Sequence, residues 1–132
     1  MATVLLDTDV VSFLFKGDSR ATAYAPLLVG NRLALSFMTA AELFQWAAVR
    51  KWGARRVGQL EQALTAYLIV PSDIELCRAW GAVRASRASA GHPISPQDAW
   101  IAATALRHSL ALITHNASDY QGIAHLAVQS VP

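Results

Sequence analysis

The chain has 132 residues, of which 54% are hydrophobic and only 15% are charged, and its formal net charge is +2. This length supports one ordinary hydrophobic core, so we expect a single domain over residues 1–132. The only cysteine, Cys77, excludes an internal disulfide and a cysteine-based zinc cluster. The apolar excess predicts a surface that packs against a partner, and we expect a homodimer.

No apolar run approaches the roughly 20 residues that a membrane span needs, and no basic leader with a long apolar segment opens the chain. We therefore expect a soluble protein without membrane contacts, and the lone cysteine fits a cytoplasmic location. The mild positive charge permits a nucleic-acid partner without requiring one.

Short aliphatic runs alternate with longer stretches of helical spacing. In chain order the pattern predicts a strand at 3–6, helices at 10–16 and 21–29, a strand at 32–36, helices at 39–52 and 57–67, a strand at 68–70, helices at 73–90 and 96–108, and strands at 111–114 and 127–129. Strands separated by helices need crossover connections and form a parallel sheet covered on both faces. We predict an α/β fold, a three-layer α/β/α sandwich with a short parallel sheet.

Four of the nine acidic residues lie at predicted strand or helix ends: Asp7, Glu42, Asp98 and Asp119. The carboxyl ends of parallel strands meet at one edge of a sheet, where α/β folds bind ligands, so we expect these acids to converge. Clustered carboxylates resist ionisation unless a cation lies between them. Oxygen ligands without cysteine or paired histidines favour Mg²⁺ or Mn²⁺ over zinc.

Helix capping is the alternative explanation for three of these acids. Residues 39–42 and 95–98 have the spacing of a capping box, and Asp7 is placed to cap the helix predicted from residue 10. Residues 72–75 have the same spacing without any other sign of chemistry, so a capping box alone predicts no metal site. For each acid taken singly, helix capping remains an alternative. The presence of four acids together favours a shared ion.

Four segments resemble the successive motifs of PIN-domain ribonucleases, most closely the VapC-type toxins of bacterial toxin–antitoxin pairs. They are LLDTDVVS (5–12), SFMTAAEL (36–43), DAWIAATA (98–105) and LITHNASDY (112–120). The resemblance covers nearly the whole chain, in the family's order and spacing. It implies a metal-dependent endoribonuclease that hydrolyses RNA phosphodiester bonds and is held inactive by a cognate antitoxin. It also implies that Asp7, Glu42 and Asp98 hold the Mg²⁺ or Mn²⁺ ion directly or through water, and that Asp119 completes the cluster.

Two positions depart from the family's usual pattern. The family often has asparagine where this chain has Asp9, so Asp9 is either an additional outer acceptor or a helix cap. Acids of the last motif vary in position, and Asn116 is placed to share the role of Asp119. Three hydroxyls are candidates to orient the acids or a water molecule, or else to satisfy backbone groups at strand ends: Thr8, Ser36 and Thr114.

Positive charge gathers between the third and fourth predicted helices. These cations are candidates to bind RNA phosphates, with aromatic side chains stacking on bases: Arg50, Lys51, Arg55 and Arg56. A solvated helix face explains them equally well, and the same applies to Arg78, Arg84 and Arg87. The tryptophans at 46, 80 and 100 recur at helical spacing, which favours core or dimer packing. The four histidines are scattered and organise no site.

The opening segment also matches a different enzyme class. Residues 7–11, DTDVV, have the signature of haloacid-dehalogenase-like phosphatases, in which Asp7 would be the nucleophile. These enzymes and phosphoacceptor receiver domains need a lysine late in the chain, and the last lysine here is Lys51. Neither class explains Glu42. A third hypothesis is a PIN-like module that binds a partner without catalysis.

Overall fold

The sheet of this computed structural model, which describes all 132 residues, has five strands: β1 (Thr3–Leu6), β2 (Arg32–Ser36), β3 (Leu68–Val70), β4 (Ala111–Ile113) and β5 (Val128–Gln129). All are parallel, in the order β3-β2-β1-β4-β5. The strand order reverses at β1, because β2 and β3 are added on one side and β4 and β5 on the other. Such a reversal opens a crevice at the carboxyl edge of the sheet.

Six helices and one 3₁₀ turn lie between the strands: α1 (Thr8–Lys16), α2 (Arg20–Leu28), α3 (Phe37–Val49), α4 (Ala54–Leu64), α5 (Ile74–Ser89), α6 (Pro96–His108) and η1 (Ala117–Tyr120). All eleven elements expected from the sequence are present, with ends that differ by at most three residues, and η1 is additional. None of the helices is long and apolar enough to cross a membrane.

Alternation along the strands divides the core into two layers, because successive side chains of a strand point to opposite faces. One layer contains Leu6, Leu35 and Ile113 with residues of α1 to α4. The other contains Leu5, Ala34 and Leu112 with residues of α5 and α6. Helices therefore cover both faces of the sheet, and the predicted three-layer α/β/α sandwich is confirmed.

The start of α3 differs from the expected capping box. The hydroxyl of Ser36 accepts a hydrogen bond from the amide of Met38 at 3.1 Å and caps the helix, which begins at Phe37. Thr39 therefore lies inside the helix, and the capping role considered for Glu42 is wrong. The carboxylate of Glu42 is left available for other contacts.

Of the other two expected capping boxes, the one at the start of α5 is not formed and the one at the start of α6 keeps its expected cap. Asp73, rather than Ser72, caps α5 by accepting from the amide of Leu76 at 2.7 Å. Ser95 caps α6 as expected, since its hydroxyl accepts from the amide of Asp98 at 3.1 Å. This cap fixes the first turn of α6, on which the carboxylate of Asp98 lies.

Candidate active site

A polar cleft lies beside the ends of β1 and β4. Its lining contains one aromatic and seven polar residues: Asp7, Thr8, Asp9, Glu42, Trp46, Asp98, Asn116 and Asp119. The cleft has a volume of about 150 Å³, which is room for several water molecules. The four acids expected to form a metal site thus line one cleft although they come from four separate segments.

Asp7 connects β1 to α1 and is only 6% exposed. Its backbone amide donates to the carbonyl of Ile113 at 2.8 Å, which ties it to β4. Its Oδ1 accepts from the amide of Thr8 at 2.8 Å and caps α1. Its Oδ2 accepts from the hydroxyls of Thr114 at 2.7 Å and Tyr120 at 3.0 Å. Asp7 therefore caps the helix, as the alternative supposed, and also faces the cleft.

Glu42 is held by a threonine of the neighbouring helix. The hydroxyl of Thr8 donates to Oε1 of Glu42 at 3.0 Å and lies 3.0 Å from the hydroxyl of Thr39. Both threonines are buried. Thr8 therefore orients an acid of the cleft, and Thr39, which the sequence suggested only as a helix cap, supports it.

Tyr120 joins two of the acids, and sequence reasoning did not single it out. Its hydroxyl lies 3.0 Å from Oδ2 of Asp7 and 3.3 Å from Oδ1 of Asp98, and the residue is 2% exposed. Burial, reinforced by the charges of the two acids, raises the pKa of Tyr120, so the hydroxyl stays a donor. Its position directly after Asp119 in the last motif was the only available signal.

Asp9 ties α1 to the segment that follows β4. Its Oδ1 accepts from the amide of Val10 at 2.7 Å, and its Oδ2 accepts from the amide of His115 and from Nδ2 of Asn116, each at 3.0 Å. The imidazole of His115 is engaged elsewhere, with Nδ1 2.6 Å from the hydroxyl of Tyr24. Asp9 thus has local hydrogen bonds for both oxygens, and Asn116 contacts it directly.

The other two hydroxyl candidates have different positions. Thr114 donates to Asp7 and accepts from the amide of Asn116 at 3.1 Å, so it touches the acidic cluster. Ser36 contacts no acid, because its hydroxyl caps α3 and accepts from the hydroxyl of Thr104 at 3.4 Å. The geometry supports an orienting role for Thr114 and a structural one for Ser36.

Arg87 is a buried cation, and neither role expected for it, a solvated helix face or a phosphate contact, is correct. Its guanidinium donates to the carbonyls of His92 at 2.7 Å, Asp119 at 3.2 Å and Gln121 at 2.8 Å, and the residue is only 9% exposed. These bonds connect the end of α5 to η1. Asp119 lies on η1, the turn that Arg87 holds against α5, and its side chain is exposed at the rim of the cleft.

The acids of the cleft lack a compensating cation within the protein. Burial, and then the charge of Asp9, raises the pKa of Asp7 to about 7. Burial also raises the pKa values of Asp9, Glu42 and Asp98, and the nearby Asp119 adds to the effect on Asp98. No Lys, Arg or His forms an ion pair with any of them. A bound cation would lower all these pKa values.

The donor set fits a hydrated Mg²⁺ or Mn²⁺ ion. No three His, Cys, Asp or Glu side chains converge closely enough to bind one ion together in this arrangement. Mg²⁺ retains several water ligands and is typically bound directly by only one or two carboxylates. A site for this ion therefore does not require three protein side chains to converge on one point. The hard oxygen donors, the uncompensated charge and the room for water in the cleft agree with such an ion.

The cations considered for RNA binding lie from the end of α3 to the start of α4, and none of them lines the cleft. Arg50, Lys51, Arg55 and Arg56 are exposed and form no ion pair. Trp46 packs partly against the core, as expected, but it also lines the cleft. Trp80 and Trp100 stack on each other with ring centroids 4.8 Å apart, which agrees with the packing role expected for them.

Comparison with known proteins gives consistent matches over nearly the whole chain. The sequence model of the PIN domain family matches residues 4–126. Ribonuclease VapC1 of Haemophilus influenzae is 30% identical over 127 residues, which cover 95% of each chain. The structure of VapBC-1 from nontypeable Haemophilus influenzae aligns with a TM-score of 0.83 at 30% identity, over 98% of each chain. VapBC2 from Rickettsia felis, solved bound to a promoter DNA fragment, aligns over 100% of each chain with a TM-score of 0.85 at 22% identity.

The haloacid-dehalogenase hypothesis has no support in the cleft. It required a lysine beside Asp7, and neither Lys16 nor Lys51 forms an ion pair with that residue. The arrangement agrees with binding of an ion and water by several carboxylates, not with attack by one.

Proposed function

This chain belongs to the PIN domain family, and from that we propose that it is a Mg²⁺- or Mn²⁺-dependent endoribonuclease, the toxin of a toxin–antitoxin pair. One observation carries the proposal: five carboxylates from four segments line a single cleft, with no protein cation paired to them. The relatives are named ribonucleases, and their complexes pair a toxin with an antitoxin.

The residues of the cleft have distinct parts in the proposed reaction. Asp7, Glu42 and Asp98 hold the ion directly or through water, and Asp119 completes the cluster at its rim. When bound, the ion activates water and offsets the negative charge that develops on the scissile phosphate. Thr8 and Thr114 hold Glu42 and Asp7 in place before RNA arrives. Such preorganisation limits the reorganisation needed during the reaction.

The partners follow from the same proposal. RNA is the substrate, and a cognate antitoxin inhibits the enzyme by covering the cleft. The protein acts in the cytoplasm. A homodimer is consistent with the large apolar side chains exposed at the surface: Val29, Phe44, Val49, Leu68 and Ile74.

The test compares the loss of a carboxylate inside the cleft with the loss of a carboxylate outside it. Asp98→Asn removes a carboxylate of the cleft, and we expect RNA cleavage to fall by at least about 100-fold with little change in thermal unfolding. Glu75→Gln is the control, because Glu75 lies at the start of α5 and pairs with Arg78 at an exposed site. Equal cleavage by wild type and Asp98→Asn would reject the active-site assignment.

The toxin role is tested in cells. Expression of the wild-type chain should arrest growth, Asp98→Asn should not, and co-expression of the protein encoded beside it should restore growth. Growth arrest by both chains, or arrest that the neighbouring protein leaves unchanged, would contradict the toxin proposal.

A further inference from the structure

A second polar cavity lies beside η1, outside the acidic cleft. It is lined by five residues, none of them apolar, and we call it the Arg87 pocket: Arg87, His92, Ser118, Gln121 and Gly122. Its volume is about 190 Å³, which is room for one small oxyanion with a few water molecules. None of its residues lines the acidic cleft, so the two sites are separate.

Arg87 brings a buried positive charge to this pocket. The residue is only 9% exposed, and none of the three ion pairs of the protein includes it. Its partners are three backbone carbonyls, whose dipoles offset a full charge only in part. An anion in contact with the guanidinium would supply the missing opposite charge.

One nitrogen of this guanidinium is unused within the protein. An arginine side chain has five N–H donors, and the three hydrogen bonds of Arg87 come from Nε and Nη1. Every buried polar atom of a side chain has a hydrogen-bond partner, so Nη2, which has none, is open to solvent. The other cavity that Arg87 lines is mainly apolar. An acceptor for Nη2 is therefore best placed in the Arg87 pocket.

The remaining residues of the pocket add further donors. The hydroxyl of Ser118, the side-chain amide of Gln121 and the imidazole of His92 form no hydrogen bond within the protein, because only the backbone groups of these residues are paired. The backbone amide of Gly122 is also without a partner. No carboxylate lines the pocket. Free donors and one uncompensated cation fit an anion rather than a metal ion.

We propose that the Arg87 pocket binds a free phosphate ion, with Nη2 of Arg87 and the hydroxyl of Ser118 donating to its oxygens. Arg87 is too buried to meet the backbone of an RNA chain, whereas a small ion enters the recess. The bound ion connects His92, which follows α5, to η1, which carries Asp119 and Tyr120. It thereby stabilises the turn at one side of the acidic cleft, and it needs neither a divalent metal nor RNA to do so.

Calorimetric titration of the wild-type chain with inorganic phosphate tests the proposal. A chelator keeps the acidic cleft free of metal, sodium chloride holds the ionic strength constant, and about pH 8 keeps the ion doubly charged. We expect saturable binding of one phosphate per chain. Dimethyl phosphate, which has one charge and the form of an RNA backbone phosphate, should bind at least about tenfold more weakly. Amide hydrogen exchange across η1 should slow at least about threefold when phosphate is bound.

Two variants at exposed positions avoid the loss of folding expected from replacing Arg87 itself. Gln121→Glu places a carboxylate in the pocket, and it should weaken phosphate binding at least about tenfold, because the new charge takes the place of the anion. Ser118→Ala removes one donor and should weaken binding about fivefold. Gln62→Glu is the matched control, since it makes the same change at an exposed position of α4, on the other face of the sheet. It should leave binding unchanged.

The contrary outcomes are distinct. Absence of saturable phosphate binding, or equal affinity for dimethyl phosphate, would overturn the proposal. Equal weakening by Gln121→Glu and Gln62→Glu would also overturn it, because phosphate would then respond to the net charge of the chain and not to the pocket. Unchanged exchange across η1 in the phosphate-bound chain would overturn the connection to the cleft. None of these measurements involves RNA cleavage, so each outcome is independent of the proposed function.

Discussion

The hydroxyl of Tyr120 lies 3.0 Å from Oδ2 of Asp7, and the same hydroxyl is 3.3 Å from Asp98. It therefore bridges an acid that follows β1 and an acid on the first turn of α6. A hydroxyl has one proton, so the two carboxylates share one donor. This shared donor holds together two groups that otherwise repel each other.

Tyr120→Phe tests the bridge, because it keeps the buried ring and removes only the hydroxyl. We expect the free energy of unfolding to fall by ~1–2 kcal/mol and RNA cleavage to slow about tenfold, since hydrogen bonds to charged groups contribute in this range. Chemical denaturation and a cleavage assay measure the two effects. Tyr24→Phe is the control, because it removes another buried hydroxyl that contacts none of the four acids. Full activity in Tyr120→Phe would show that the bridge has no part in catalysis.

Arg87→Met tests the connection between α5 and η1. The change leaves the carbonyls of His92, Asp119 and Gln121 without their donor, and we expect the free energy of unfolding to fall by ~2–4 kcal/mol. Cleavage should also fall, because η1 carries Asp119 and Tyr120. Arg78→Met, on the same helix but exposed, should change neither quantity measurably. An unaltered melting temperature in Arg87→Met would contradict the connection.

Thr8→Val tests the orientation of Glu42. Valine has nearly the same shape as threonine but no hydroxyl, so Oε1 of Glu42 loses its donor. We expect the cleavage rate to fall about tenfold while the chain stays folded. Thr8→Ser, which restores a hydroxyl, should recover most of the rate. Equal rates for the valine and serine variants would show that this hydrogen bond does not matter.

The pH dependence of stability follows from the pKa of Asp7. The pKa of this carboxyl rises from its ordinary value of 3.8 to about 7 in the folded chain, so between these pH values the folded chain keeps a proton that the unfolded chain has released. The folded state binds more protons, so the free energy of unfolding falls as pH rises through this range. The upper limit of this contribution is ~4 kcal/mol. Burial also raises the pKa values of Asp9, Glu42 and Asp98, so these carboxyls change the free energy of unfolding with pH in the same direction as Asp7.

Denaturation at about pH 5 and about pH 8 measures this effect. With a chelator present, the wild-type chain should be less stable at the higher pH. Added Mn²⁺ should remove much of the loss, because a cation favours the ionised carboxylate. Asp7→Asn should flatten the dependence. Greater stability of the chelated wild type at the higher pH would contradict the raised pKa.

The layout of the fold could be predicted because it depends on local patterns. Strands such as β1 are short aliphatic runs, and the alternation of strands and helices restricts the sheet to parallel connections. The cleft followed from the same logic, since Asp7 and Asp119 come just after neighbouring strands. Glu42 and Asp98 followed from their positions near the starts of predicted helices, and the family motifs agreed with all four acids.

The remaining features depend on partners that are distant along the chain. Arg87 has the spacing of a surface cation, and only the packing of η1 against α5 shows that its guanidinium is buried among carbonyls. Tyr120 resembles any aromatic core residue until its hydroxyl is placed between Asp7 and Asp98. The helix caps were misplaced for a related reason: Ser36 and Asp73 compete with Thr39 and Ser72, and spacing alone does not decide between them.

The central claim is that Asp7, Glu42 and Asp98 hold a divalent ion in one cleft. Anomalous diffraction from crystals soaked in Mn²⁺ tests it most directly, because the peaks count the ions and identify their ligands. We predict a peak within the cleft, bonded to at least one of these carboxylates directly and to the others directly or through water. A cleft without an anomalous peak, in a protein that still cleaves RNA in the presence of a chelator, would contradict the claim.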